Sequence, residues 1–268
     1  MKPATDMPSL PHPRRAGSRP ATTSYRRLWM AWSAAACLAT VAFLQVTAES
    51  SDPPRRDLPT EHQTRDLAGW QVRIDQRLLQ GEHEPLGTRA ILMLESQLRG
   101  IETIMPDKAL EHLREVVIQI DLDHGGLDHK QYHPSAGWLR DNGYSEDLEK
   151  VVHIARAERL VDQRLARMMP NVVLHELAHA YHDQVLGFDH PALLEHFEQV
   201  KERRVLDEVL HASGELRRHY ALTDHKEWFA EMTEAYFGSN DFYPFVRAQL
   251  LMSDPAGHDL IKKLWGDD

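Results

Sequence analysis

The sequence predicts an α+β fold that is mostly helical and contains a small β-sheet. Apolar residues recur at helical spacing along most of the chain after residue 66. Two short runs rich in β-branched residues, 116–120 and 151–154, are instead typical of buried strands. About 200 residues follow the N-terminal segments, which is enough for a domain with a core of its own.

The first 48 residues differ in composition from the rest of the chain. Residues 1–27 form a basic tail rich in Pro, Ser and Thr, which we expect to be disordered. Residues 28–46 carry no charge, are long enough to span a bilayer, and follow a basic flank. Residues 28–48 therefore predict either a cleaved signal peptide or a single transmembrane anchor. Both alternatives imply an extracytoplasmic domain, whether periplasmic, secreted or membrane-anchored.

Residues 49–66 combine prolines with charges and predict a linker, so that the domain itself is residues 67–268. Residues 1–48 hold six basic residues and one acidic residue, a net charge of +5; subtracting this from −10 leaves −15 for residues 49–268. A negative domain disfavours nucleic acid as a partner, and contact with a membrane is expected only through the N-terminal hydrophobic segment. Cys37 is the only cysteine, so the domain has no disulfides.

The domain is predicted to be a succession of helices interrupted by the two strands. Trp70, Ile74 and Leu78 supply the helical spacing of the first helix. Residues 121–150 are rich in turn signals, and the spacing of His124, His129 and His133 there does not indicate a second metal site. The predicted helices are 66–79, 88–104, a short one after Pro106, a short one around Trp138, 158–168, 171–184, 191–210, 224–238, 242–251 and 259–265.

The pattern H-E-x-x-H occurs at residues 175–179, inside an apolar helical run. Residues four apart share a face of a helix, so His175 and His179 can place both imidazoles on one ion. Glu176 then lies beside that ion and can act as general base on a metal-activated water. Two imidazoles suit Zn2+, and a catalytic zinc site needs one more protein ligand and an open position.

The third ligand is not the histidine of the metzincin pattern, which would stand at Val185. The helix predicted for 224–238 carries Glu227, Glu231 and Glu234 on one face, although its other residues are mostly apolar. Buried carboxylates need partners, and a metal with histidine ligands supplies them. Glu227 is the predicted ligand, with Glu231 and His225 as alternatives.

These motifs resemble the C-terminal protease domain of anthrax lethal factor and its relatives, which are zinc metallopeptidases of the Glu-zincin kind. The resemblance rests on H-E-x-x-H, a downstream Tyr, and E-aromatic-F-A-E at residues 227–231. It implies a zincin-like fold, in which the 116–120 strand would be an edge strand that pairs with substrate. It also implies functions for five residues: zinc ligation by His175, His179 and Glu227, general base catalysis by Glu176, and a contact of Tyr220 near the reacting carbonyl.

The resemblance further implies that Glu231 orients a ligand histidine through a hydrogen bond. Two departures from the family pattern stand out: Trp228 replaces Phe, and His182 follows His179 by three residues. We interpret His182 as a hydrogen-bonding neighbour of the site. The alternative interpretation of Tyr220 is that it only packs at the start of the helix and has no catalytic role.

Zinc-dependent hydrolysis of peptide bonds is therefore the predicted function, with a peptide or protein as substrate. Two alternatives stay open. One is a zinc hydrolase acting on a non-protein substrate such as a cell-wall cross-link. The other is a non-catalytic zinc-binding module, in which a fourth protein ligand such as Glu231 or His182 would close the site.

Overall fold

The structure, a computed structural model, describes Leu58 and residues 61–267, which belong to one folded unit, Ser50–Asp268. The tail and the hydrophobic segment predicted for residues 1–48 lie outside the described residues. Within residues 61–267, no helix is long and apolar enough to cross a membrane.

Across residues 61–267, a five-stranded mixed sheet and ten helices confirm the α+β class. The sheet order is β1-β2-β3-β5-β4, and only its two outer pairs, β1 with β2 and β4 with β5, are antiparallel. Two further strands form a small separate ribbon. The strands are β1 His62–Leu67, β2 Trp70–Asp75, β3 Ile118–Ile120, β4 Lys130–Tyr132, β5 Val152–Ile154, β6 Val209–Leu210 and β7 Leu216–Arg217.

The helices pack mainly on one face of this sheet and on one another. They are α1 Glu84–Ile104, α2 Asp107–Glu115, α3 Ala136–Asp141, α4 Glu158–Val161, α5 Gln163–Met168, α6 Val172–Tyr181, α7 Pro191–Arg203, α8 His225–Phe237, α9 Arg247–Ser253 and α10 Pro255–Trp265. A π-helical turn, His182–Leu186, extends α6. The helix predicted for 158–168 is divided at Asp162, and the one predicted for 191–210 ends at Arg203, because Arg204 adopts a left-handed conformation.

The helix predicted for residues 66–79 is wrong. This segment contains most of the hairpin of β1 and β2, and β1 begins inside the stretch predicted to be a linker. Ala68 and Gly69 both have positive φ, which is the geometry of a tight hairpin turn. Trp70, Val72 and Ile74 are buried and alternate with polar residues. Burial of every second residue is the pattern of a strand and not of a helix.

The expectation that the 116–120 strand lies at a sheet edge is also wrong. β3 is paired on both sides, with β2 and with β5, and its backbone is not free to bind a substrate. β4 is the edge strand next to β5, and it packs against α6. Any pairing of substrate with the sheet near α6 must therefore involve β4.

The two faces of the sheet are buried against different groups of residues. Val72, Ile118 and Val152 belong to the main core, which includes the apolar positions of α1, α6 and α8. The opposite face is covered by a smaller cluster of Leu139, Tyr144, Leu148 and Val151. The main core holds α6 and α8 against each other, while the second face carries polar side chains from the strands.

Candidate metal centre

Helices α6 and α8 cross at the centre of the domain and provide the candidate site. Asp224 begins α8, and its side chain accepts hydrogen bonds from the backbone N–H groups of Lys226 and Glu227. Asn171 precedes α6, and its side-chain amide donates to the carbonyl of Ser239, 2.7 Å away, just beyond α8. The two helices are thus joined at one end, and the site lies between their buried faces.

His175, His179 and Glu227 converge on one point between these helices. The Nε2 atoms of the two histidines are 3.1 Å apart, and Glu227 Oε2 lies 3.1 Å from His175 Nε2 and 3.4 Å from His179 Nε2. Ligand atoms about 2.0–2.1 Å from a tetrahedral zinc are about 3.4 Å from each other. The donor set and its spacing therefore fit a zinc ion.

The charge of each residue in this group affects the pKa of the others. Burial opposes the charged form of Glu227, but its hydrogen bonds with His175 and His179 outweigh burial and lower its pKa below the usual range. Burial likewise disfavours a protonated His175, yet Glu227 and Glu234 raise the pKa of His175 well above its ordinary value. The site therefore concentrates negative charge around two imidazoles, which favours a cation.

Glu176 lies beside the histidine pair, where its Oε2 accepts a hydrogen bond of 2.9 Å from the backbone N–H of Tyr132 in β4. Burial raises the pKa of Glu176 above its usual value. The Tyr132 hydroxyl donates to Asp183, 2.6 Å away in the π-helical turn, so β4 is attached to the α6 region at two points. A raised pKa makes this buried carboxylate a better proton acceptor than an exposed one.

The structure differs from the sequence prediction on which carboxylate orients a ligand histidine. Glu234 Oε1 is 2.7 Å from His175 Nδ1, whereas Glu231 Oε1 is 3.9 Å from the same atom. Burial, with the neighbouring charge of Glu234, raises the pKa of Glu231 well above its usual value. Glu234 thus occupies the position expected for Glu231. Its place around the axis of α8 brings its carboxylate next to His175 Nδ1.

The histidines considered as further neighbours face away from the convergence point. His182 is fully buried, its ring packs against Phe188, His225 and Phe229, and neither ring nitrogen has a hydrogen-bond partner among the described residues. Burial lowers the pKa of His182 to about 3. His225 Nε2 lies 2.6 Å from the carbonyl oxygen of Phe188 and is engaged there. His182 is therefore a packing residue here.

Tyr220 lies at the mouth of the site, in a short 3-10 turn that precedes α8. Its hydroxyl donates to Glu227 Oε1 over 3.4 Å, and the side chain is half exposed. Burial of the hydroxyl, together with the charge of Glu227, raises the pKa of Tyr220 to about 12. Tyr220 therefore keeps its proton and can donate a hydrogen bond to an oxygen beside His175, His179 and Glu227.

A cavity of about 520 Å³ opens onto this group. Its floor is formed by the H-E-x-x-H residues, one wall by residues 128–132, including β4, and the other by Tyr220, Glu227 and Phe242. His129, one of the three loop histidines, lines the same cavity. The cavity is large enough for several residues of an extended peptide.

Sequence reasoning did not predict the contact of Glu234 with His175, the hydrogen bond from the Tyr132 backbone to Glu176, or a second group of buried side chains. His124 and His133 meet Asp121 and His153 on the other face of the sheet, although their spacing along the chain had not suggested it. The signal for this group was the alternation of polar residues in the strands, since Gln119 and His153 are buried polar residues in otherwise apolar runs.

The metal-ligand group, the buried glutamate and the cavity thus occur together at one place in the domain. Comparisons of the chain with protein-family models, with curated proteins and with solved structures found no match.

Proposed function

We propose that the protein is a zinc-dependent metallopeptidase that hydrolyses peptide bonds. The observation that carries this proposal is the convergence of His175, His179 and Glu227, with Glu176 beside them, at the floor of an open cavity. The same motifs carry the resemblance to lethal-factor-like proteases. On the basis of residues 28–48, we place the catalytic domain outside the cytoplasm.

Each residue of the centre has a distinct role in this proposal. A zinc ion held by His175, His179 and Glu227 would polarise the attacking water and the substrate carbonyl. Glu176 takes up a proton from that water and passes it to the leaving amine nitrogen. Tyr220 donates a hydrogen bond to the carbonyl oxygen as negative charge develops there.

A catalytic site is favoured over a closed structural site because neither proposed fourth ligand is in position. Glu231 lies on the Nδ1 side of His175, away from the converging Nε2 atoms, and His182 is enclosed by aromatic rings. The side of the group that faces the cavity is open. Water and substrate can therefore reach the ion, as catalytic zinc sites require.

The edge strand β4 supports a peptide as the substrate. His129 and His133 make their backbone hydrogen bonds to residues just before and just after β5, so the backbone groups of Lys130 and Tyr132 face the other way. The N–H of Tyr132 is used by Glu176, which leaves the N–H and carbonyl of Lys130 and the carbonyl of Tyr132 for an extended chain. Ladder pairing of this kind suits an extended polypeptide better than a non-protein substrate.

Zinc content and peptide cleavage test the proposal on the full chain. Wild type and Glu176→Gln should each bind zinc at the centre, and only wild type should cleave a library of unfolded peptides. Glu227→Ala should lose most of that zinc, while the exposed Glu111→Ala should behave like wild type. Equal zinc content in wild type and Glu227→Ala would show that Glu227 is not a ligand. Cleavage by Glu176→Gln would contradict the proposed role of Glu176 as general base.

A further inference from the structure

A second convergence of metal-ligating side chains lies on the opposite face of the sheet. In β3 and β5, Ile118, Ile120, Val152 and Ile154 face the main core, so Gln119 and His153, which alternate with them, face the other side. Asp121 follows β3 in the same alternation. The small apolar cluster that includes Leu139 and Leu148 covers this face, and the group is enclosed.

Asp121, His124 and His153, which we call the Asp121 cluster, have their donor atoms directed at one another. His153 Nε2 is 2.8 Å from Asp121 Oδ2, and His124 Nδ1 is hydrogen-bonded to the same oxygen. One nitrogen or oxygen of each residue lies within 4.8 Å of the others. All three residues are at most 2% exposed, which excludes a group of solvated surface histidines.

The charge of Asp121 is the strongest argument for an ion in this cluster. Among the described residues, Asp121 is paired with imidazoles and with the Gln119 amide, and with no Arg or Lys. None of these partners carries a permanent positive charge, and a buried carboxylate requires compensation of its charge. Moreover, one oxygen, Asp121 Oδ2, is the partner of three donors. A divalent cation supplies charge and replaces two of these protons.

The residues around the cluster are placed as partners of metal ligands usually are. His133 Nε2 is 3.2 Å from His153 Nδ1, the ring nitrogen on the far side from Asp121. His62 Nε2 is 2.6 Å from Asp121 Oδ1, the carboxylate oxygen that His124 and His153 do not use. Metal-bound histidines and carboxylates are commonly held in this way by a hydrogen bond on their remaining atom.

We propose that Asp121 Oδ2, His124 Nδ1 and His153 Nε2 bind a second divalent transition-metal ion, distinct from the ion of the cavity. Two imidazoles and one carboxylate suit zinc and similar ions, whereas Mg2+ and Ca2+ prefer oxygen ligands alone. Because Asp121, His124 and His153 are at most 2% exposed, a substrate cannot reach the ion, and its role is structural. No ligand is shared with the H-E-x-x-H centre, and this proposal stands or falls independently of the proposed function.

The experiment is zinc stoichiometry by mass spectrometry of the full chain, after equilibration with zinc sulfate alone and desalting. His179→Gln/Glu227→Gln removes two ligands of the cavity site, and His124→Gln removes one ligand of the Asp121 cluster. His83→Gln, which deletes an exposed imidazole outside both groups, is the matched control. Wild type and the control should bind two zinc ions, and each of the other two variants should bind one.

The outcomes separate the two proposals. One zinc in wild type that is retained by the cavity variant and lost in His124→Gln supports the Asp121 cluster and contradicts the cavity site. One zinc that is lost in the cavity variant and retained in His124→Gln overturns the second site. Anomalous diffraction at the zinc edge from wild-type crystals decides without any variant: a peak among Asp121, His124 and His153 is expected, and its absence overturns the proposal.

Discussion

Glu176 is held in place by groups that come from two different elements. Its helix, α6, sets its position beside His175, and the backbone N–H of Tyr132 in β4 orients its carboxylate. The donor is a backbone group, so it remains with any residue other than proline at position 132. The orientation of the Glu176 carboxylate therefore depends on the pairing of β4 with β5.

Replacement of Glu176 by Gln should abolish turnover and leave metal binding intact. The amide has the same shape but cannot take up a proton, and general base catalysis typically contributes about 10²–10⁴-fold to the rate. The measurement is kcat on a cleaved peptide together with zinc content. A loss of zinc in this variant would mean that Glu176 is a ligand and not a base.

Glu234→Gln should weaken zinc binding at the cavity site by about 10–100-fold, the usual effect of removing a carboxylate that orients a ligand histidine. Glu231→Gln is the matched control, because its carboxylate is 3.9 Å from His175 Nδ1 instead of 2.7 Å. Competition with a chelator of known affinity gives both dissociation constants. A larger effect at Glu231 would reverse the assignment made from these distances.

The three glutamates of α8 illustrate what sequence can predict about a site. Their spacing places Glu227, Glu231 and Glu234 on one face, and the structure does bring all three close to His175. Their order around the histidine depends on the rotation of α8 relative to α6. That rotation is set by packing of residues such as Phe229 and Trp228 in the core, which spacing alone does not specify.

At the scale of the element, two glycines of α1 provide a matched pair. A Cβ at Gly87 would overlap the carbonyl oxygen of Leu78, whereas a Cβ at Gly100 would meet open space. Gly87→Ala should lower the free energy of unfolding by about 1–3 kcal/mol through overpacking. Gly100→Ala should raise it by about 0.5–1 kcal/mol, because alanine favours a helix interior. Urea unfolding of both variants tests the pair, and equal effects would contradict the close approach of α1 to Leu78.

Asp254 connects α7 with the start of α10. Its carboxylate lies 2.8 Å from His196 Nε2 and 2.9 Å from an Arg203 nitrogen, and it accepts from the backbone N–H of Gly257. Burial opposes its charge, but these partners outweigh burial and lower the pKa of Asp254. Because the folded pKa is the lower one, the stabilisation is present at neutral pH and is lost as the pH falls below the ordinary value of about 3.9.

Asp254→Asn should therefore reduce the free energy of unfolding at pH 7 by about 1–3 kcal/mol. The difference from wild type should shrink as the pH approaches 3, since the carboxyl of the unfolded wild-type chain is then increasingly protonated and folding must remove that proton. Asp259→Asn, an exposed position in the same helix, serves as control and should change little. Urea unfolding across this pH range measures the difference, and a difference that grows with acidity would refute the sign of the argument.

The first hairpin shows why an element can be predicted wrongly from an accurate pattern. Trp70 and Ile74 are four residues apart, a distance that places them on one face of a helix and also on one face of a strand. Val72 between them is buried, which distinguishes the two periods, and Ala68-Gly69 is the turn that joins the strands. A short segment with few apolar residues fits both periods, and pairing with β3 decides between them.

For the whole molecule, zinc should stabilise the folded chain. A ligand that binds only the folded state raises the free energy of unfolding by about 2.7 kcal/mol at 100 times its dissociation constant. Chelation should lower the thermal midpoint, and added zinc should restore it. Glu176→Gln, which keeps every proposed ligand, should show the same shift of the thermal midpoint as wild type. A thermal midpoint that does not change when chelator is added would argue against zinc at either site.

Which side chains meet could be predicted from the sequence where the residues are neighbours along one helix, and could not be predicted where they come together across the sheet. His175 and His179 are four residues apart, and the limits of α8 follow from Asp224 and Gly238. By contrast, Asp121 follows β3, His124 lies in the next loop and His153 lies in β5, so which of these residues meet depends on strand order. The same order places β4, and not β3, at the edge beside the cavity.

The strand β4 is only three residues long, yet it separates two chemical environments. Tyr132 and its backbone face α6, whereas His133, the next residue, faces His153 on the other side of the sheet. Because successive side chains of a strand point in opposite directions, inserting or deleting one residue in β4 would exchange these two environments. A shift of the strand register by one position would thus disturb Glu176 and the buried histidines together. We therefore expect the length of β4 to tolerate less variation than its composition.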